Sequence, residues 1–201
     1  MSAVMLAAYP DVFRGGAIFA GLPYGCASTG GSLALEWERS MLVPAYGEAG
    51  WASYRCGIAP RGGISLPPFS RTPREWRELL AEGGAPAVAA WPKVSLWHGT
   101  ADRRVHPANL RELMEQWTAA HGIDPDSVDD EDGGAGAYRR RQYKATSGDV
   151  QVETIEVLKM EHALPIDPGA ARHQCGREAP YFAIVGVCAA YHVSRFWGLD
   201  R

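Results

Sequence analysis

The sequence has 201 residues, with 20 basic and 23 acidic side chains and a formal net charge of −3; that length suits one domain burying roughly 70% of its unfolded surface. Its 46% hydrophobic and 10% aromatic content excludes disorder as the main state, and the charge balance offers no electrostatic footprint for nucleic acid. No apolar run approaches the roughly 18 residues of a membrane span, and MSAVMLAAYP at the start lacks the basic region of a signal peptide. Neither nucleic acid nor membrane is an expected partner, and oligomeric state is left open.

In chain order, Ala3 to Tyr9 are helix formers stopped by Pro10. A helix starting at residue 1 without a run-in points to a segment missing upstream. Gly15-Gly16 lead into the apolar run 17–20, which predicts a strand buried on both faces, as a parallel sheet requires. Residues 26–71 are rich in Gly, Ser and Pro and predict a long surface excursion, helical around Leu33 to Trp37. Thr72-Pro73-Arg74-Glu75 is a capping box with proline at N1, and Trp76, Leu79 and Leu80 form the apolar stripe behind it. A second buried strand is expected at 94–97. From Pro107 a helix places Leu110, Leu113, Met114 and Trp117 on one face and ends at Gly122. Residues 124–136 read as an acidic, solvated loop, and the Arg139-Arg140-Arg141 run as a solvated face. The segments 138–145 and 150–158 flank a turn at Ser147-Gly148-Asp149, the pattern of a hairpin. A last helix is expected over about 179–196. Strands alternating with helices give an α/β fold with a mostly parallel sheet.

In such sheets chemistry gathers beyond the carboxyl ends of the strands. Two residues stand there: Asp102, a tight turn after the 94–97 strand, and His162, after the strand ending at Leu158. An acid after one strand and a histidine after a later one match the last two members of a Ser-Asp-His triad. The chemistry needs all three, because a serine hydroxyl is a poor nucleophile until an imidazole takes its proton and a carboxylate orients that imidazole. Cys26, Cys56, Cys175 and Cys188 lack any C-x-x-C spacing. They allow three pairings, the sequential one suiting an exported protein, or else four free buried thiols.

The stretches MSAVMLAAYPDVFRGGAIFAGLPYGCA, WPKVSLWHGTADRRVHPANLRELMEQW, MEHALPID, QCGREAPYF and AAYHVSRFWGL closely resemble the esterase family that includes polyhydroxybutyrate depolymerases and related feruloyl and acetylxylan esterases. The resemblance implies an α/β-hydrolase fold with Asp102 as triad acid, His162 as base, and no metal or cofactor. It implies that residues 1–201 are the carboxyl-terminal part of one catalytic domain. In the family, a G-x-S-x-G nucleophile elbow directly precedes the stretch like MSAVMLAAYP; no G-x-S-x-G occurs in this sequence. The N-terminal strands, the elbow and the oxyanion loop are thus expected upstream of Met1, with Ser2 beside rather than on the nucleophile position. The family commonly has G-M-G-H where this chain has Lys159-Met160-Glu161-His162. The resemblance favours a Cys175–Cys188 bridge over Cys26–Cys56 and an extracellular location, with a cytoplasmic one as the alternative.

The remaining candidates have plainer readings. His98, Asp102 and His106 are spaced by four, but Gly99 and Pro107 break the helix that would align them on a metal. His121, His173 and His192 read as structural, and Trp76, Trp97 and Trp117 as core. Tyr24 and Leu164 are candidates for an acyl pocket. The resulting reading is a serine carboxylic-ester hydrolase of the depolymerase type whose serine is not in this chain. A feruloyl or acetylxylan esterase, or a non-catalytic binding chain, is the alternative.

Overall fold

A computed structural model describes residues 1–28, 44, 47–60, 62–83, 90–133 and 136–199; the helical turn expected around Leu33 to Trp37 lies outside them. Helix α1 (Ser2–Ala8) leads to strand β1 (Gly15–Phe19), and α2 (Pro73–Glu82) precedes β2 (Lys93–Gly99). After α3 (Asn109–His121) come β3 (Val128–Gly133), β4 (Tyr138–Lys144) and β5 (Val150–Val157), then the short strands β6 (Leu164–Ile166) and β7 (Phe182–Ile184) and helix α4 (Ala189–Phe196).

The main sheet runs in the order β1-β2-β5-β4-β3. The first three strands are mutually parallel, and β4 and β3 extend them in antiparallel fashion. Side-chain parity sorts the central strands into two faces. Ile18, Val94, Leu96 and Val152 join Leu6, Leu80, Leu113 and Trp117 of the helices in one core, while Trp97, Ile155 and Val157 pack with Val187, Ala189 and Val193 on the other. The arrangement is a partial α/β-hydrolase-like fold, with helices on both faces and β1 at one edge among the described residues.

Local signals explain the best-formed helices. Thr72 caps α2, its hydroxyl accepting from the Glu75 amide while Glu75 accepts from the Thr72 amide at 2.8 Å. Gly122 ends α3 in the left-handed conformation. The 145–149 turn closes the β4–β5 hairpin, with the Ala145 amide donating to the Asp149 carbonyl at 2.9 Å.

Three expectations need correction. The acidic loop at 124–136 contains β3, because β4 places the arginine run opposite it: Asp130 faces Arg141 and binds it at 2.8 Å, and Asp129 pairs with Lys144. The arginine run is accordingly not simply a solvated face, since Arg140 also binds the buried carboxylate of Glu153 at 2.7 Å. The last helix starts at Ala189 rather than near 179. Pairing of β7 with β6, left-handed φ at Tyr181 and Gly186, and the Cys175–Cys188 bridge occupy its expected first half.

Both sequential disulfides, Cys26–Cys56 and Cys175–Cys188, form. No helix among the described residues is long and apolar enough to cross a membrane.

Candidate active site

The carboxyl ends of β2 and β5 lie side by side, Gly99 in register with Val157, so the turns that follow them are neighbours. They are stitched together. The Thr100 amide donates to the Val157 carbonyl, the Ala101 amide to the Met160 carbonyl (both 3.0 Å), and the Lys159 amide to the Thr100 hydroxyl at 2.9 Å. The contact is close enough to require glycine at 99, where a Cβ would stand 2.2 Å from the Met160 oxygen. Lys159 holds φ at 59°, a conformation natural to the glycine that the resemblance implies there.

The clasp delivers Asp102 and His162 to each other. His162 Nδ1 lies 2.8 Å from Asp102 Oδ2, with the carboxylate fully buried and the imidazole about one-third exposed. Asp102 Oδ1 accepts the Arg104 and Val105 amides at 2.8 and 3.0 Å. Burial raises the Asp102 pKa, but hydrogen bonds from His98, the Val105 amide, His162 and the Arg104 amide outweigh it and lower the value to about 2. The acid is therefore ionised throughout the neutral range. It holds a proton on His162 Nδ1, which leaves Nε2 as the basic nitrogen.

His98 is a residue whose part in this site the sequence reading missed. It is buried, its Nε2–H donates to the Val105 carbonyl at 3.0 Å, and it stands 3.3 Å from Asp102 Oδ2. Its four-residue spacing from Asp102 is the visible signal in the sequence, and in the structure that spacing serves the carboxylate and not a metal. His106 turns away, accepting the Ala108 amide at 3.2 Å; burial lowers its pKa. Among the described residues no group of three or more His, Cys, Asp or Glu side chains is arranged to hold a metal ion.

His162 borders an open cleft of ≈ 780 Å³ between the carboxyl end of β1 and the start of α1, lined also by Phe19, Ala20, Tyr24 and Val105. Tyr24 lines this cleft, held by paired hydrogen bonds to Gln116. Leu164 instead packs against the core on the α4 side of the sheet. Ser2 borders the cleft as the first residue of α1. Glu161 faces solvent. The other histidines are occupied structurally: His121 Nε2 donates to the Pro92 carbonyl, His173 meets Tyr191, and His192 stands among Trp97, Tyr138 and Tyr191. Trp76, Trp97 and Trp117 are all buried.

No protein-family model matches the chain. In sequence it is 35% identical over 201 residues to poly(3-hydroxyalkanoate) depolymerase C of Paucimonas lemoignei, a match covering 99% of this chain and 41% of that protein. It is 29% identical over 167 residues to an acetylxylan esterase of Coprinopsis cinerea, covering 82% and 37%, and 30% identical over 123 residues to feruloyl esterase B of Talaromyces funiculosus, covering 61% and 29%. In fold it is similar to the acetyl xylan esterase from Aspergillus awamori, with a TM-score of 0.56 at 21% identity over 80% of this chain and 49% of that one. It is also similar to a PHB depolymerase complexed with an R3HB trimer, with a TM-score of 0.52 at 18% identity over 98% and 47%. The chain spans less than half the length of these relatives.

Proposed function

We propose that this chain, a member of the esterase family that holds poly(3-hydroxyalkanoate) depolymerase and the acetylxylan and feruloyl esterases, carries the acid and base of a depolymerase-like serine carboxylic-ester hydrolase. The observation behind this reading is the 2.8 Å bond between Asp102 and His162 at the carboxyl rim of two parallel strands. The chain is taken as the carboxyl-terminal part of one catalytic domain. Its nucleophile comes from residues outside the 201, since no G-x-S-x-G occurs within them.

In this reading the serine hydroxyl attacks the ester carbonyl while His162 Nε2 takes its proton. Asp102 stabilises the imidazolium that forms, and His162 then protonates the departing alkoxide. Water, deprotonated by the same nitrogen, cleaves the acyl-enzyme and returns the serine. No step calls for a metal or cofactor. Two disulfides support an exported protein, because such bonds persist in oxidising compartments.

The 201-residue chain alone is expected to turn over no p-nitrophenyl butyrate. Joined at Met1 to the strand and G-x-S-x-G turn of a family member, it gains esterase activity that His162→Ala abolishes and Asp102→Asn lowers by about 10⁴-fold. A cooperatively folded chimera with no turnover, or with turnover that survives His162→Ala, refutes the reading and favours a non-catalytic binding chain.

A further inference from the structure

His98 is a buried titratable group that the ester-hydrolase mechanism does not use. It lies within β2 rather than in the turn beyond it, and its backbone stands in register with Glu156 of β5. Alternation along the strand turns its ring to the face of Val94 and Leu96, where the residue is 1% exposed. A ring so placed shares the rigidity of the sheet.

Its two nitrogens have unequal surroundings. Nε2 faces two acceptors, the Val105 carbonyl at 3.0 Å and Asp102 Oδ2 at 3.3 Å. A carbonyl and an ionised carboxylate only accept, so the ring proton sits on Nε2. Nδ1 is buried and has no hydrogen-bond partner among the described residues. A buried nitrogen without a partner costs stability, and an apolar side chain of similar size would avoid that cost. Packing alone therefore does not account for a histidine at this position; the Nε2–H does.

That N–H completes the hold on the acid. Asp102 Oδ1 is fixed by the Arg104 and Val105 amides, whereas Oδ2 meets His162 Nδ1 at 2.8 Å. His162 is a poor anchor for Oδ2: it follows the strand on a turn, and its imidazole is about one-third exposed, edge-on to the Tyr181 ring at 6.3 Å between centroids. Oδ2 thus has a buried, strand-borne imidazole on one side and a partly exposed one on the other.

We propose that His98 is a positioning residue: by holding Asp102 Oδ2 from the strand side, it sets the angle at which the acid meets His162 and keeps the His162 proton on Nδ1. The inference rests on the ester-hydrolase reading for what the pair catalyses, and adds the group that aims it. Burial raises the Asp102 pKa, and among the bonds that lower it the one from His98 comes first, as suits a donor shielded from water.

Two variants separate aiming from packing. His98→Leu fills the space without a donor, and His98→Gln offers an N–H at about the reach of Nε2. In the 201-residue protein, nitrogen-15 NMR of the His162 ring reads the tautomer and the exchange of its proton with water. The parent is expected to hold the proton on Nδ1. His98→Leu is expected to mix the tautomers and speed exchange about tenfold, and His98→Gln to stay within about threefold of the parent. In the chimera that supplies a serine, His98→Leu is expected to lower kcat about 10–100-fold with KM unchanged, and His98→Gln to recover most of the loss. A cooperatively folded His98→Leu whose His162 keeps the parental tautomer and exchange overturns the proposal and leaves His98 a packing residue. Should His98→Leu not fold, His98→Asn takes its place, with an amide too short for Oδ2; parental His162 signals in it overturn the proposal equally. A chimera without turnover, beside a His162 tautomer that depends on His98, sinks the ester reading but not the aiming. A parent with no bonded proton on His162 Nδ1 sinks both.

Discussion

Asp102→Asn is nearly isosteric, but it removes the charge that His98 and His162 share and sets an NH2 donor where the acceptor Oδ2 faced them. One side-chain oxygen can go on accepting the Arg104 and Val105 amides, but two imidazoles lose the anion they face. The gap between the ordinary carboxyl value of 3.8 and the native value of about 2 is worth about 2 kcal/mol of folding stability. Its sign is set by the depressed native pKa. Between pH 4 and 2 the unfolded chain binds the proton more readily, so the contribution is complete above about pH 4 and is lost as pH falls through about 2. Urea unfolding with both disulfides intact is expected to find Asp102→Asn about 2 kcal/mol less stable than the parent at pH 6, the difference shrinking toward zero at pH 2. Equal stabilities at pH 6, or a difference that ignores pH, would refute the account of Asp102 as a buried, multiply bonded anion.

Further tests address the clasp, the bridges and the sheet edge. Gly99→Ala forces its Cβ into the Met160 carbonyl and is expected to cost about 1–3 kcal/mol while disturbing the His162 ring signals; thermal unfolding and NMR read both effects. Converting Cys175 and Cys188 to Ser opens a loop of 13 residues and is expected to cost about 3 kcal/mol, against about 4 for the 30-residue loop of Cys26 and Cys56. Only the first pair should also move Tyr181, because Cys175 is bridged to Asp167 just beyond β6. β1 pairs on one side alone among the described residues. Concentration-dependent protection of its amides, relieved by Ala17→Lys, is the expected sign of edge association; a monodisperse monomer at millimolar concentration would count against it.

What could be read from the chain was what the chain decides locally. The Thr72–Glu75 box, the apolar stripes of α2 and α3 and the Gly122 cap act within one or two turns, so sequence spacing carries them. Asp102 and His162 were legible for a different reason: strand-end position and order bring them to one rim of the sheet. The acidic strand β3 was illegible because Asp, Glu and Gly disfavour strands, and its stability comes from arginines on β4. The expected final helix failed likewise, since β6 and a disulfide to Cys175 decide its first half. Apolar periodicity places Tyr181 in that helix, and its approach to His162, 19 positions back in the chain, exists only in three dimensions.

The hydrogen bonds that lace the turn after β2 to the turn after β5 have a consequence for how such a site can be assembled. In the proposed hydrolase, Asp102 and His162 are mounted on a common bracket whose alignment rests on contacts within these 201 residues. On that proposal a hydroxyl delivered to the cleft, from whatever stretch of polypeptide, meets an imidazole already oriented, so the nucleophile's surroundings can vary without retuning the pair.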